Sequence, residues 1–278
     1  MLKALTAIWI IWGMNWVVMK TANLYFPPVT FVTYRFTLGA IIMIAVALYH
    51  KHHSPRLSLL PYIILTGVFQ YAVANITVQV GMQTLSAGMA AVLNYTAPLW
   101  MTLMAKFFLD EEFTKRKLFG IFTALIGLMI LTGVEPSENF GAIILVISGA
   151  VAFAAAGIIF KLKLSREDIY EMVAWQMSAG ALSLLIFNGI TDQGDVNWTL
   201  TAILCLIYNG VLASALAFFL WNWLLLRLSA SVASTATLIV PIVGTIGGVI
   251  FLGETLTAAM VIGMILILFG IFMVVRKK

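Results

Sequence analysis

Charge is what this sequence has least of. Its 278 residues include 16 Lys and Arg and 11 Asp and Glu, 10% charged in all, against 62% hydrophobic residues. A soluble domain carries about 25% charged residues, so this chain cannot cover a water-facing surface. Cysteine occurs once, at Cys205 inside an apolar run, which excludes an internal disulfide and reads as core filler rather than a reactive thiol. The three histidines, His50, His52 and His53, share one basic loop, and that cluster reads as solvated rather than metal-binding. No Asp, Glu or His lies deep inside any apolar run. An intramembrane enzyme needs a nucleophile with a base or a metal triad, and proton-driven pumps use buried acids or histidines. Both lack their parts here, and no metal or cofactor is expected.

What the chain has instead is apolar runs of helix length. Their mean hydropathy, +1.05 over the whole chain, belongs to an integral membrane protein, and the absence of ten-residue alternations points to helices rather than a barrel. At about 20 residues per crossing, the polar breaks mark ten spans, near 4–22, 29–49, 59–81, 86–108, 117–133, 140–161, 169–188, 200–225, 231–252 and 256–275. The N-terminal stretch has one Lys and no small-residue cleavage site, so it reads as a first span and not a signal peptide. Basic residues fall in alternate loops: Lys51 and Arg56, then Lys115-Arg116-Lys117, then Lys161, Lys163 and Arg166, then Arg227, then the tail Arg276-Lys277-Lys278. With Lys3, this places both termini in the cytoplasm, in a plasma (inner) membrane. Lys20 is the exception, at the outer end of the first span. The net charge of +5 needs no nucleic-acid partner. The expected partners are the bilayer and a small molecule, and a monomer suffices.

The chain also repeats itself. Leu85-Ser86-Ala87, Ala90, Pro98, Glu111, Gly120 and Gly127 recur as Leu228-Ser229-Ala230, Ala233, Pro241, Glu254, Gly263 and Gly270, at a constant interval of 143 residues, as in 228 − 85. Earlier positions match at 141: Lys20, Tyr34, Arg35 and Gly39 meet Lys161, Trp175, Gln176 and Gly180. Five spans per copy is an odd number, so the second copy runs inverted. The expected fold is all-α, ten transmembrane helices as two inverted five-helix repeats, residues 1–135 and 136–278. Such halves can rock between inward- and outward-open states. A non-transporting scaffold or sensor has no use for this duplication.

These runs, with Trp12-Gly13, Asn15 and Arg35-Phe36, resemble the EamA type of the drug/metabolite transporter superfamily over essentially the whole length. The second half reads Leu252-Gly253-Glu254, as the family usually does; the first departs to Leu109-Asp110-Glu111. The resemblance implies a metabolite exporter or exchanger with a cavity lined by helices 1, 3, 4, 6, 8 and 9. Its members handle amino acids, sugar phosphates, nucleotide sugars and drugs.

The candidate substrate contacts are polar or aromatic groups at membrane depth. Tyr71, Asn75 and Gln79 are spaced four apart, on one helical face. The matching face of the second copy, Ser214, Phe218 and Asn222, has largely lost that stripe. Trp9, Trp12 and Trp16 form a stripe beside Asn15, and Trp12 is too deep for an interfacial belt. Asn94 and Tyr95 precede Pro98, and Thr235 and Thr237 precede Pro241; both prolines are expected to bend their helices as gates or fixed kinks. Arg35 must snorkel, bind carbonyls, reach an acid such as Glu254, or meet a substrate carboxylate. Glu111 and Glu254 are expected to cap the helices that follow them or to fix loop geometry. The candidate cavity contacts are therefore Trp12, Asn15, Trp16, Arg35, Tyr71, Asn75, Gln79, Asn94, Tyr95 and Phe218, with interhelical hydrogen bonds for the helix 3 face, helix packing for the tryptophans and a structural role for Arg35 as the alternative readings. Aromatics and amides suit amino-acid or similar zwitterionic cargo, exported without tight proton coupling.

Overall fold

The structure is a computed structural model and describes residues 1–50, 55–81, 83–85, 87–133, 139–191, 194–252 and 255–276. Among these residues every regular element is helical. In chain order they are α1 (Leu2–Ala22), α2 (Pro28–Tyr49), α3 (Leu57–Gly81), α4 (Ala87–Asn94), α5 (Ala97–Phe108), α6 (Lys115–Thr132), α7 (Phe140–Leu164), α8 (Ile169–Ile190), α9 (Leu200–Leu225), α10 (Ala230–Ile250) and α11 (Ala258–Val275).

Local chemistry sets the ends. Thr114, Asn139, Asp168, Thr199, Ser229 and Thr257 each accept a hydrogen bond from a backbone N–H two or three residues on, closing the N-termini of α6 to α11. Pro28 and Pro98 sit in first turns, and Pro61 in the first α-helical turn after the 3-10 turn Leu57–Leu59 that opens α3, where the missing N–H costs nothing.

Among the described residues eight stretches are long and apolar enough to cross a membrane: α1, α2, α3 and α7 through α11. The fourth expected span is split at Tyr95-Thr96 into α4 and α5, and the fifth, α6, opens on Lys115-Arg116-Lys117 within 18 residues. The outer faces of the helices carry exposed Ile126, Leu182, Ile186, Leu204, Ile262 and Phe269. Those faces suit lipid.

The most extensive pairing joins α6 to α11. They run antiparallel, Gly120 against Gly270 and Gly127 against Gly263. A Cβ on Gly127 would stand 2.7 Å from the Gly263 carbonyl oxygen, and one on Gly263 would stand 2.6 Å from that of Gly127. Small residues let backbones approach this closely.

Among the described residues three helices contain π turns: Phe160–Leu164 ends α7, while Val68–Val73 in α3 and Tyr208–Leu216 in α9 lie inside theirs. The last residues of the latter two are 143 apart, the sequence interval. π turns loosen the backbone ladder and leave carbonyls for side chains. The Asn75 amide donates to the Gln70 and Tyr71 carbonyls at 3.1 Å, and the Trp12 indole donates to Ala213 at 3.0 Å. The largest buried cluster lies among α2, α3, α5, α7, α8 and α9, around Phe36, Tyr71, Met101, Phe160, Met172 and Trp221.

Candidate functional site

A cavity of about 150 Å3 opens among α1, α2, α3, α4, α5, α7, α9 and α10, room for on the order of ten waters. Its wall carries Trp12, Asn15, Trp16, Arg35, Asn75, Gln79, Asn94, Tyr95 and Phe218, with Met19, Ala74, Val78, Ala97, Pro98, Phe153, Ala213, Ser234 and Thr237. Every residue named above as a cavity contact is in this wall except Tyr71.

Arg35 supplies the cavity's one formal charge among those wall residues. Its side chain is 5% exposed. One terminal nitrogen donates to the Asn75 amide oxygen at 2.6 Å and the other to the Asn209 amide oxygen at 3.2 Å. The guanidinium carbon lies 4.6 Å from the Phe36 ring centre. The sequence left Arg35 to snorkel, bind carbonyls, reach an acid or meet a substrate carboxylate. In the structure two side-chain amide oxygens hold it, so its full positive charge is oriented but not neutralised. Its Nε has no partner. Nor does the Asn15 carbonyl oxygen, nor either polar atom of the Gln79 amide. Buried polar atoms normally find partners. Four unmatched ones among the wall residues, together with the Arg35 cation, make this cavity the candidate site for a polar ligand.

The aromatic wall has its own order. Trp12 meets Phe218 edge to face at 5.3 Å, and Trp16 meets Tyr95. Trp9 lies elsewhere, its indole donating to the Ala236 carbonyl at 2.8 Å. Tyr71 is fully buried one layer behind the cavity, 4.9 Å from Phe218, its hydroxyl accepting from Asn222 at 3.3 Å. The π turn at Val68–Val73 rotates it away from Asn75 and Gln79, so spacing by four residues no longer means a shared face.

Pro98 stands at an interruption between two helices, whereas Pro241 lies within α10. Pro98 follows a break and starts α5, and Pro241 stands just after the 3-10 turn Thr237–Ile239. Both places border the cavity through Tyr95, Ala97, Pro98 and Thr237. The N-terminus of α5 therefore points its positive dipole end at the cavity.

Glu111 caps a helix, but not the one that follows. Thr114 does that work for α6, while the Glu111 carboxylate crosses to α10. It accepts from the Ala230 N–H at 2.6 Å, the Ser231 N–H at 3.2 Å and the Ser231 hydroxyl at 2.7 Å. Asp110 makes the turn that sends it there, with φ of 53°, the left-handed region in which Gly is usual. Glu254, Lys51, His52 and His53 lie outside the described residues.

The sequence profile of the EamA-like transporter family matches residues 2–133 and again 140–276. The chain belongs to that family. It is similar to the uncharacterized transporter YoaV of Bacillus subtilis (strain 168), 31% identical over 275 residues, covering 96% of this chain and 94% of the relative. It is 28% identical over 277 residues to a probable amino-acid metabolite efflux pump of Salmonella typhimurium (strain LT2), covering 95% and 90%. A crystal structure of a protein 18% identical superposes with a TM-score of 0.86, covering 99% of this chain and 96% of the other, which shows a shared fold. This EamA-family chain is thus a multi-pass membrane transporter, and the cavity is its candidate transport site.

Sequence reasoning missed Asn209 and Phe153. Asn209 holds the charge from 174 residues away, and no local pattern marks it. Helix 2 was also missing from the set implied by the family resemblance; Arg35 brings it in.

Proposed function

We propose that this transporter exports small zwitterionic metabolites, amino acids above all, across the plasma membrane by alternating access. The observation that carries the reading is Arg35, a cation held in place by Asn75 and Asn209 on a cavity wall otherwise built of amides, hydroxyls and aromatic rings. A substrate carboxylate would face that guanidinium and the N-terminal end of α5. The ammonium would face Trp12, Trp16 or Tyr95, whose ring faces attract cations, and the free Asn15 and Gln79 oxygens. Sugar phosphates or nucleotide sugars carry more negative charge than one buried Arg matches. The efflux pump of Salmonella typhimurium, named for amino-acid metabolites, supports the same choice.

The machine is ten spans in two inverted halves, 1–135 and 136–278, with both termini cytoplasmic. The double family match supports the repeat. So does the α6–α11 pair, since Gly120·Gly270 becomes Gly263·Gly127 when each residue is exchanged for its counterpart 143 positions away. Equivalent helices that pack antiparallel are what an inverted repeat requires. Loop charge supports the orientation.

Counterflow in proteoliposomes tests the function. A metabolite screen by thermal shift chooses the ligand; preloaded vesicles should then take up labelled ligand without sensitivity to a protonophore. Asn75→Leu, which removes one holder of Arg35, should abolish binding of the best hit. Uptake abolished by collapsing the pH gradient alone, or unchanged affinity in Asn75→Leu, refutes the corresponding part.

A further inference from the structure

Between the cavity and the face that carries Lys115, Arg116 and Lys117 lie two packed layers. The upper layer is aromatic. Trp12 and Phe153 belong to the cavity wall, and the Trp221 ring lies 6.3 Å from the first and 5.3 Å from the second. Trp221 is 1% exposed, and Asn222 and Tyr71 beside Phe218 are fully buried. About 10 Å further along α9, the lower layer grips the α9–α10 connection from both sides. Lys161 Nζ donates to the carbonyl oxygens of Leu225 at 3.0 Å and Leu228 at 2.6 Å. Glu111 holds the first N–H groups of α10. A cation thus sits on the C-terminal end of one helix and a carboxylate on the N-terminal end of the next, each matching the local dipole.

The aromatic layer contains polar atoms that a permanent seal would have no reason to keep. The Trp221 indole N–H and the Asn222 amide oxygen are buried with no partner. Leaving such groups unmatched costs stability. A layer that is wetted for part of the cycle recovers that cost when it opens.

We propose that Trp221 and Asn222 line the inner half of the translocation path, shut in this conformation, and that the Glu111 grip on Ala230 and Ser231 latches it. Glu111 comes from the first half of the chain and α10 from the second, so the latch must release before the halves separate on this side. The conformation described is accordingly closed towards the face that carries Lys115 to Lys117. This rests on the alternating-access reading above, and labelling separates the two, because it requires no substrate.

Cys205→Ala gives a cysteine-free background for Asn222→Cys. In proteoliposomes of defined orientation, a membrane-impermeant thiol reagent should modify residue 222 from the face bearing Lys115 to Lys117. Adding Glu111→Gln should speed that modification about fivefold or more, as the open population grows. Modification only from the opposite face or from neither, or a rate unchanged by Glu111→Gln, overturns the proposal. If Asn222→Cys does not fold, Trp221→Phe serves: it keeps a ring but deletes the N–H that is unpaired only when the path is shut. Counterflow turnover should then fall about threefold with the external half-saturation concentration unchanged, and unchanged turnover also overturns the proposal. Substrate exchange with residue 222 never labelled removes the inner path and leaves transport standing. Labelling as expected in a chain that carries no substrate does the reverse.

Discussion

Around Gly39 and around Gly180 the molecule is built in the same way; four residues earlier on the same two helices it is not. A Cβ on Gly39 would meet Ser214 Cβ at 3.1 Å and the Gly210 carbonyl at 3.3 Å, while one on Gly180 would meet Tyr71 Cβ at 2.6 Å and the Gly67 carbonyl at 2.7 Å. Each residue in the first set corresponds to one in the second at the 141- or 143-residue interval. One turn away, Arg35 donates to Asn209 from α2 to α9, and Gln176 donates to Thr66 from α8 to α3. Those pairs also correspond, yet one donor is a cation on the cavity wall and the other a neutral amide sealed in the core. Packing is shared between the halves. Charge is not, and on the proposed function a cargo bound in this cavity takes its polarity from the residue that differs.

The largest expected effect breaks that comparison at its unequal point. Arg35→Leu removes the only cation among the described wall residues, and charge-assisted hydrogen bonds of about 1.5–3 kcal/mol each translate to a loss of about 100-fold in counterflow affinity. Gln176→Leu deletes an interhelical bond worth about 0.6 kcal/mol and should leave transport within about threefold. Equal losses in the two variants would remove Arg35 from the site and reduce it to a structural link.

The next effect concerns stability. Gly127→Val drives a side chain into the backbone of α11, and overpacking of this kind costs about 1–3 kcal/mol, a fall of roughly 3–10 °C in thermal midpoint for a chain of this size. Gly189→Val is the control, because nothing lies within 4 Å of a Cβ there, and its midpoint should hold or rise. A Gly127→Val protein as stable as its parent would mean that the α6–α11 seam is not close-packed.

How much of this could be read from the sequence depends on the range over which each feature is determined. Helix positions follow from apolar runs and from caps such as Thr114, Asp168 and Thr257, all local signals. The cavity residues Trp12, Asn15, Trp16, Asn75 and Gln79 stand out because amides and indoles at membrane depth are expensive facing lipid. Tyr71 misled, because the turn at Val68–Val73 winds with a longer period, and its sequence trace is the single Asn75 that satisfies the freed carbonyls. Asn209, and the reach of Glu111 to α10, depend on helices meeting across 174 and 119 residues. No local rule finds such partners. The break before Pro98 was legible only in half: proline marked the place, while the choice between a kink and a fresh start depends on what Asn94 and Tyr95 pack against.

The smallest effect tests the equal part of the comparison. Thr114 accepts from the Lys117 N–H and Thr257 from the Met260 N–H, both at 3.2 Å, in positions 143 residues apart. Each cap satisfies one otherwise unpaired N–H, and its loss to Ala costs about 0.5–2 kcal/mol. Thr257 is exposed and Thr114 only half-buried, so water replaces the lost acceptor more readily at Thr257. Thr257→Ala should therefore fall near about 0.5 kcal/mol and Thr114→Ala near about 1 kcal/mol, with counterflow unchanged in both. Thermal midpoints of the two variants, read beside transport, decide it. A Thr257→Ala loss larger than that of Thr114→Ala would show that burial does not order the two sites, and that equivalent caps in the two halves bear unequal loads.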